Sequence, residues 1–302
     1  MARRKKSKKE IPLLILIIAI IGYIFATYGE NLSSSLTEEG NLNQNNVTTD
    51  LKVYFFDVGQ ADSILISNNN HHLLIDAGNN EDGPLLVKYI KEKLNIDSFE
   101  YVIGTHPHED HIGGLDDIIN NFNIKKLYLP DVITTTKTFE DVLDAIERHN
   151  LSITIPKIGE KFKLGEADLN IIYTGTNTSD LNSTSIIIKM IFGNYSYLFT
   201  GDTTSEIEKL ILKENIDVDV LKVAHHGSKY SSSLEFLQKV TPSYAIISVG
   251  KNNSYNHPST TTIKRLKKYT NNIYLTSELG TILLTSDGQK INISTFKTNL
   301  DG

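Results

Sequence analysis

The segment 101–115, YVIGTHPHEDHIGGL, places three histidines and two acidic residues within six positions, directly after an apolar strand-like run. The chain of 302 residues has only nine histidines, so a third of them lie in this one loop. Pro107 disfavours a helical backbone at His106. His106 and His108 are then two positions apart on an extended segment, which directs both imidazoles to the same side. We therefore expect a loop that gathers imidazoles around one point.

Two further residues of this segment complete a set of candidate ligands. Asp110 is placed to cap a helix expected from residue 112, and His111 lies beside it. Imidazoles that converge with a carboxylate form a ligand set for Zn²⁺ or a similar divalent cation. The chain has no cysteine, which excludes disulfides and thiolate ligands. Any metal must therefore be bound by nitrogen and oxygen.

The first fifty residues are predicted to lie outside the globular fold. Residues 1–10 carry six basic side chains, and the uncharged run 11–29 would reach about 28 Å as a helix, close to the thickness of a bilayer's hydrocarbon core. A cleaved signal peptide is the alternative, although Ala26-Thr27-Tyr28 matches a cleavage site poorly. We predict a basic cytoplasmic tail, a single transmembrane anchor, a flexible polar linker at 30–50 and an extracellular domain, or a secreted protein if the segment is cleaved.

The remaining residues, 51–298, are predicted to form one domain. Short β-branched and aromatic runs alternate with helical patterns, which indicates an α/β fold of two face-to-face sheets with helices outside, an αββα sandwich. The predicted strands are 51–57, 63–67, 72–75, 100–104, 125–129, 160–164, 168–173, 183–191, 195–200, 218–224, 244–249, 272–275, 281–285 and 289–296. The predicted helices are 82–94, 112–121, 138–149, 203–214, 231–240 and 258–269.

The charge of this domain argues against bulk attraction to nucleic acid. The whole chain has a net charge of −6, and because residues 1–10 contribute six bases and one acid, the remainder is near −11. A strongly acidic body repels polyanions over most of its surface. A nucleic-acid substrate would need local cations, for which Lys222, Lys229 and Lys251 are the candidates near the predicted site.

The loop motif resembles the hallmark of the metallo-β-lactamase superfamily, H-x-H-x-D-H, which stands here as His106-Pro-His108-Glu-Asp110-His111. More narrowly, the chain resembles the hydrolase domain of the ComEC/Rec2 competence proteins. The blocks that carry this resemblance are FFDVGQADSILI, LLIDAG, THPHEDHIGGL, YLFTGD, DVLKVAHHGSKYS and SVGKNNSYNHP. The resemblance implies the αββα fold of that superfamily, with one metal held by the first two histidines and a second by the aspartate and last histidine.

Other positions acquire roles through the same resemblance. Asp202, after the strand pattern YLFT, is expected to bridge two cations, with helix capping as the alternative. Asp76 is expected to orient the histidine loop without binding metal. His225 is the preferred further ligand, and His226 the preferred proton donor or phosphate contact. His257 occupies the place of the final ligand, and either it or His225 is expected to bind.

One expected histidine ligand is missing. Where many superfamily members carry it, this chain has Asn182, so the first metal position is short of a ligand and the site holds one or two ions, Zn²⁺ or Mn²⁺. His149 is expected to interact with a helix terminus, and His71 and His72 to be exposed in a turn. Gln60 and Asp62 are expected to line the cleft or to form a turn.

The predicted chemistry is metal-assisted hydrolysis of an ester, phosphodiester or amide. Asp110 would orient the attacking water and accept its proton, and the region of His226 and Ser228 would stabilise negative charge on the substrate. The competence-protein resemblance implies phosphodiester hydrolysis, with DNA at the cell surface as substrate and a separate channel protein as partner. A lactone, β-lactam or envelope-polymer hydrolase is the alternative, and a non-catalytic binding module is the third interpretation.

Overall fold

The computed structural model describes residues 50–176 and 179–298. The predicted tail and anchor, and all but the last residue of the predicted linker, lie outside these ranges. Within these ranges, no helix has both the length and the apolar character needed to cross a bilayer.

Fifteen strands are present in the part of the chain that the structure describes, and they agree in order with the predicted pattern. They are β1 (Leu51–Phe55), β2 (Ile64–Asn68), β3 (His71–Ile75), β4 (Ser98–Ile103), β5 (Asn123–Tyr128), β6 (Ile153–Thr154), β7 (Lys161–Leu164), β8 (Ala167–Tyr173), β9 (Ile187–Phe192), β10 (Tyr195–Phe199), β11 (Val220–Lys222), β12 (Tyr244–Ile247), β13 (Ile273–Leu275), β14 (Thr281–Ser286) and β15 (Ile291–Phe296). The two-residue strand β6 was not predicted, because so short a segment shows no alternation of apolar and polar residues.

The helices connect these strands. They are α1 (Asp82–Leu94), α2 (Glu109–Ile112), α3 (Leu115–Asn121), α4 (Lys137–Arg148), α5 (Ser205–Ile211), α6 (Leu234–Val240), α7 (Thr260–Leu266) and α8 (Thr276–Leu279). Short 3-10 turns lie at Leu181–Thr184, between β8 and β9, and at Ala224–Gly227, after β11.

The strands form two sheets, which confirms the α/β fold with two sheets and helices. The first has the order β15-β14-β1-β2-β3-β4-β5-β6 and the second the order β13-β12-β11-β10-β9-β8-β7. In each sheet one run is parallel, β3 to β6 in the first and β10 to β13 in the second. Loops that leave the carboxyl ends of parallel strands emerge along one edge, so each sheet presents a row of loops there.

Three hydrophobic clusters define the layers. The inner faces of both sheets share one cluster, which includes Phe55, Tyr128 and Phe199. A second cluster joins the first sheet to α1, α3 and α4, and a third joins the second sheet to α5, α6 and α7. Strands buried on both faces explain the nearly continuous apolar sequences of β3 and β9.

The histidine loop differs locally from its prediction. The predicted helix 112–121 is two helices. The N-cap position of the first is His108, whose side chain makes no capping hydrogen bond, and Asp110 lies in the first turn, so the expected capping role of Asp110 is wrong. The break falls at Gly113 and Gly114. A Cβ on Gly113 would lie 2.3 Å from the backbone of Asn79, and glycine therefore lets the loop pack against the chain that follows β3.

Two further expectations are corrected. His71 and His72 lie in β3, where they contact Glu100 and Ser67, because the turn is made by Asn69 and Asn70 with positive φ alone. The predicted strand 183–191 begins only at Ile187, after the 3-10 turn Leu181–Thr184.

Candidate metal centre

The predicted site residues follow strands whose carboxyl ends meet at one edge of the two sheets. Asp76 follows β3, the histidine loop follows β4, Asp202 follows β10, and His225 and His226 follow β11. The loop after β12 carries His257. The fold therefore brings together residues that are up to 181 positions apart in the sequence.

Asp76 holds His111 in place. Its backbone has φ of 60°, which turns the buried carboxylate toward the histidine loop. One carboxylate oxygen accepts the amide of Thr105 at 2.7 Å, and the other accepts His111 Nδ1 at 2.8 Å and the Thr105 hydroxyl at 2.8 Å. With Nδ1 committed to Asp76, the free nitrogen of His111 is Nε2.

Four side chains converge on one point. The ligand atoms of Asp110, His111, Asp202 and His226 all lie within 4.8 Å of one another. His111 Nε2 is 3.2 Å from Asp202 Oδ1, and His226 Nε2 is 3.3 Å from Asp110 Oδ2 and 3.6 Å from Asp202 Oδ2. This set of two imidazoles and two carboxylates suits a divalent cation bound by nitrogen and oxygen.

Buried polar atoms without hydrogen-bond partners indicate whether a cation fits within this cluster. His111 Nε2, His226 Nε2 and Asp202 Oδ1 are buried and have no hydrogen-bond partner with good geometry among the described residues. Buried polar atoms without partners are costly, so three of them facing one point indicate a missing ligand. The donor set and the orphaned atoms both fit a metal ion.

His106 and His108 form a second pair beside this cluster. His106 is fully buried, and its Nε2 lies 3.1 Å from His108 Nδ1. The ring centres of His106 and His111 are 4.1 Å apart. Asn182, on the 3-10 turn Leu181–Thr184, lines the same cleft, and its buried Oδ1 has no hydrogen-bond partner among the described residues. These side chains form the region in which the sequence predicted the first metal position.

The adjacent histidines His225 and His226 differ in their surroundings. His226 is buried, and its Nδ1 donates to the carbonyl of Ser248 at 2.9 Å, which directs Nε2 into the cluster. His225 is 24% exposed, and its Nε2 lies 3.7 Å from Asp202. The geometry thus groups His226 with the candidate ligands, whereas the sequence had given that place to His225. His257 lies next to His225, with ring centres 5.7 Å apart, and is outside the four-residue cluster.

A buried ion pair supports the cluster from behind, and sequence reasoning missed it. Lys222 Nζ is 2.6 Å from Asp62 Oδ2, and both side chains are at most 1% exposed. The other oxygen of Asp62 is 3.4 Å from His226 Nδ1. The sequence had suggested Lys222 as a cation for the substrate, but its charge is buried against Asp62 and does not reach a substrate. The other two candidates, Lys229 and Lys251, are exposed. A lysine inside an apolar strand was the only available signal.

Burial and opposite charges act against each other in this centre. Burial alone would lower the pKa of His111, but the carboxylates of Asp202 and Asp76 outweigh it and hold that pKa well above its usual value. Burial would raise the pKa of Asp202, but His226 and His111 hold it well below the usual range. For His106, burial and then the neighbouring His111 lower the pKa. The carboxylates are thus ionised and His111 is protonated. A bound cation would displace the proton of His111 from this site.

The remaining predicted positions surround the centre. Ser228 is buried, and its hydroxyl accepts the amide of Tyr230 at 3.3 Å. Asp202 is not a helix cap, because Thr204 is the residue that precedes α5. His149 ends α4 and contacts Asn120 at 3.1 Å, outside the cluster. Gln60 lines the cleft, and its Oε1 accepts the amide of Gly250 at 3.0 Å.

The centre opens into a cleft of about 380 Å³, lined by Asp110, Asn182, Asp202, His225 and His226 among others. A fold of two sheets with helices and a buried cluster of histidines and aspartates at one edge defines a metal-dependent hydrolase architecture. The model of the metallo-beta-lactamase superfamily matches residues 56–251, which is more than half of the chain. The chain therefore belongs to the metallo-beta-lactamase superfamily, whose metal-dependent hydrolase fold it has.

Two curated relatives are similar over most of the chain. ComE operon protein 3 of Bacillus subtilis is 29% identical over 252 residues, which cover 76% of this chain and 32% of that protein. Recombination protein 2 of Haemophilus influenzae is 26% identical over 248 residues, which cover 80% of this chain and 30% of that protein. The chain thus spans about a third of the length of these relatives. The resemblance to the competence proteins is confirmed.

Among solved structures, the metallo-beta-lactamase fold protein YhfI of Bacillus subtilis is similar, with a TM-score of 0.53 and 12% identity. The match covers 79% of this chain and all of that structure. At this identity the similarity shows the fold alone.

Proposed function

We propose that this chain is a metal-dependent phosphodiesterase that acts on nucleic acid outside the cytoplasm. The observation that carries the proposal is the convergence of His111 Nε2, His226 Nε2 and Asp202 Oδ1 beside an open cleft. These three buried atoms have no hydrogen bond of good geometry to any described residue. The similarity to ComE operon protein 3 and Recombination protein 2 supports phosphodiester hydrolysis over other reactions of this fold.

The residues divide into two ligand groups. Asp110, His111, Asp202 and His226 would hold one cation, and their nitrogen and oxygen donors suit Zn²⁺ or Mn²⁺. A second ion would be bound by His106 and His108, with Asp202 between the two groups. A bound divalent cation would activate water and stabilise negative charge on the phosphodiester.

The other roles belong to the side chains at the cleft surface. Asp110 is 31% exposed and lies at the edge of the ligand cluster, where its carboxylate can orient the attacking water and accept a proton. His225 is partly exposed in the same cleft and is placed to donate a proton to the leaving group. This exchanges the roles that the sequence suggested for His225 and His226. Asn182 would contact substrate through its amide.

We also propose a single membrane anchor at residues 11–29, an extracellular position for the domain and cooperation with a separate channel protein. The length and apolar character of that run, with six basic residues before it, support the anchor and its orientation. The similarity to the competence proteins supports a channel partner and DNA as the substrate.

The test uses the full chain, purified in detergent and loaded with Mn²⁺ or Zn²⁺, on bis-p-nitrophenyl phosphate and on DNA. We expect both to be cleaved, and Asp202→Ala and His108→Ala each to lower the rate by more than about 100-fold, because each removes a proposed metal ligand and loss of a supporting partner alone costs about 10- to 100-fold. Asp168→Asn is the matched control, since Asp168 is an exposed carboxylate that does not line the cleft.

Other outcomes would assign a different function. Hydrolysis of a lactone or of nitrocefin without phosphodiesterase activity would favour a small-molecule or envelope-polymer hydrolase. Metal content near zero by elemental analysis, with a folded chain, would favour a non-catalytic binding module.

A further inference from the structure

A second cavity adjoins the metal cleft. We call it the side groove; it has a volume of about 710 Å³, and Val58, Asn79, Glu81, Asp82 and Leu85 line it away from the metal centre. The side groove and the metal cleft are continuous, because Gln60, Glu109, Asp110 and Tyr255 line both. A substrate bound at the centre can therefore extend a neighbouring group into the side groove.

Tyr255 stands at the junction of the two cavities. Tyr255 is 67% exposed, and it is distinguished from the equally exposed Tyr230 by lining both cavities. The ring stacks on His257, with an interplanar angle of 25° and a centroid distance of 5.8 Å. The histidine supports the ring from one side, and most of the remaining aromatic surface is available to a ligand.

The loop that carries Tyr255 is fixed by Asn253. Asn253 Nδ2 donates to the carbonyls of Gly250 at 3.0 Å and His257 at 2.6 Å. Its Oδ1 accepts the amides of Tyr255 at 3.2 Å and His257 at 3.0 Å. One side chain thus makes four hydrogen bonds to the loop backbone, which fix the backbone that carries the exposed ring, while the ring itself stacks on His257. A ring ordered in advance binds at a lower cost in entropy.

The charge of the side groove selects what can enter it. Glu81, Asp82 and Glu109 line it, and no lysine or arginine does so in the described part of the chain. A phosphate group would be repelled there, whereas an uncharged ring that carries amino groups would find acceptors. Carboxylates accept hydrogen bonds from the exocyclic amine of cytosine in protein–DNA complexes, and tyrosine stacks on any base.

We propose that Tyr255 is a base-stacking residue and that the side groove receives a nucleobase with an exocyclic amino group, next to the phosphodiester in the metal cleft. The inference rests on the proposed function and narrows it to single-stranded substrates, because only an unpaired base can be stacked in this way. Cytosine, adenine and guanine would be preferred to thymine at this position.

The experiment compares three labelled oligonucleotides of equal length on the full chain: oligo-dC, oligo-dT and an abasic oligomer with the same phosphodiester backbone. For the native chain we expect KM to rise from dC to dT to the abasic oligomer. Tyr255→Ala should raise KM for dC about 5- to 100-fold, the range measured for loss of one stacked base, and leave KM for the abasic oligomer unchanged. Tyr255→Phe should keep the preference.

Tyr230→Ala is the matched control. Tyr230 is 66% exposed but lines neither cavity, so its removal should not change KM for any oligomer. Equal KM values for dC and the abasic oligomer would overturn the inference and leave the proposed function standing. If no oligomer is cleaved, the proposed function fails. In that case, fluorescence anisotropy measures the affinity of the chain for the same oligomers and tests the inference without cleavage. Equal affinities of the native chain and Tyr255→Ala for oligo-dC would overturn the inference.

Discussion

The inner and the outer parts of the metal centre are held in different ways. The inner part comprises Asp62, Asp76, His111, Asp202 and Lys222, and the outer part comprises His108, Asp110, His225, Tyr255 and His257. Each inner side chain is at most 2% exposed, and most contact protein atoms on two sides. In the outer part, His225 and His257 each have a buried Nδ1 without a hydrogen-bond partner in the described residues, and Tyr255 is mostly exposed.

This difference indicates that folding fixes the positions of the inner side chains, whereas a bound ligand would fix those of the outer side chains. Inner residues are fixed by contacts with the two sheets, so their geometry is complete when the domain is folded. Among the outer residues, Asp110 lies in the first turn of α2, His225 has φ of 52°, and Asn253 braces the chain around His257. We expect substitutions in the inner part to affect stability and metal affinity, and substitutions at His225, Tyr255 and His257 to affect substrate binding and rate. His108 and Asp110 are also proposed metal ligands, so their substitution should affect metal affinity as well.

The largest effect is expected from Lys222→Met. The change leaves Asp62 as a buried carboxylate without its cation, and loss of one partner of a buried pair costs about 3–5 kcal/mol. Urea unfolding of the metal-free chain, followed by circular dichroism, measures this loss. The double variant Asp62→Asn with Lys222→Met should recover part of it, because neither of the two positions then carries a buried charge. A loss below about 1 kcal/mol for Lys222→Met would show that the inner part does not depend on this pair.

The second largest effect is expected from Asp76→Asn, which should lower the affinity for the metal. An asparagine keeps the size of the side chain and tolerates φ of 60°, but it no longer offers a carboxylate to His111 Nδ1. Loss of such a supporting partner typically lowers metal affinity about 10- to 100-fold. Competition with a chromophoric chelator measures the affinity for Zn²⁺. Asp168→Asn should leave it unchanged, and an Asp76→Asn chain with native affinity would mean that Asp76 does not support the metal centre.

The inner part was partly predictable from sequence. The position of Asp76 after an apolar strand and the spacing of the histidine loop indicate that these residues meet, because carboxyl ends of parallel strands share an edge. The pair of Asp62 and Lys222 was not predictable in this way. The two residues are 160 positions apart, and only the packing of the two sheets against each other brings them into contact.

The outer part shows where the sequence is ambiguous. His225 and His226 are adjacent, and the sequence gives no reason to prefer one as ligand; the left-handed backbone at both residues decides which imidazole turns inward. Tyr255 received no role from the sequence, since an exposed aromatic residue in a polar loop resembles any other surface tyrosine. Its significance comes from its place between two cavities.

Asp82 contrasts with Asp62, because it is a buried carboxylate whose hydrogen-bond donors are amides and not a lysine. Asp82 in the side groove accepts hydrogen bonds from the backbone amide and the side-chain amide of Asn79, and burial raises its pKa to about 6. Because the folded state binds this proton more tightly than the unfolded state, Asp82 makes the domain less stable as pH rises from about 4 to about 6. Asp82→Asn should remove that dependence and gain about 2 kcal/mol over the native chain at pH 7 relative to pH 4, because the carboxyl pKa is about 6 in the folded state and about 4 in the unfolded state. Urea unfolding in the presence of a chelator, at pH 4 and at pH 7, measures the free energy of unfolding of both chains. If the native chain and Asp82→Asn differ by the same amount at both pH values, the prediction is wrong.

The smallest effect is expected from His257→Ala, which tests whether this outer histidine is a metal ligand. Its ring lies beside His225 and outside the four-residue cluster, so the substituted chain should retain its full metal content by elemental analysis. The rate at saturating substrate should fall less than about fivefold, which is about 1 kcal/mol. KM for a nucleotide substrate should rise, because the ring of Tyr255 loses the surface on which it stacks. Loss of one equivalent of metal would instead place His257 among the ligands and extend the fixed inner part of the centre to the loop after β12.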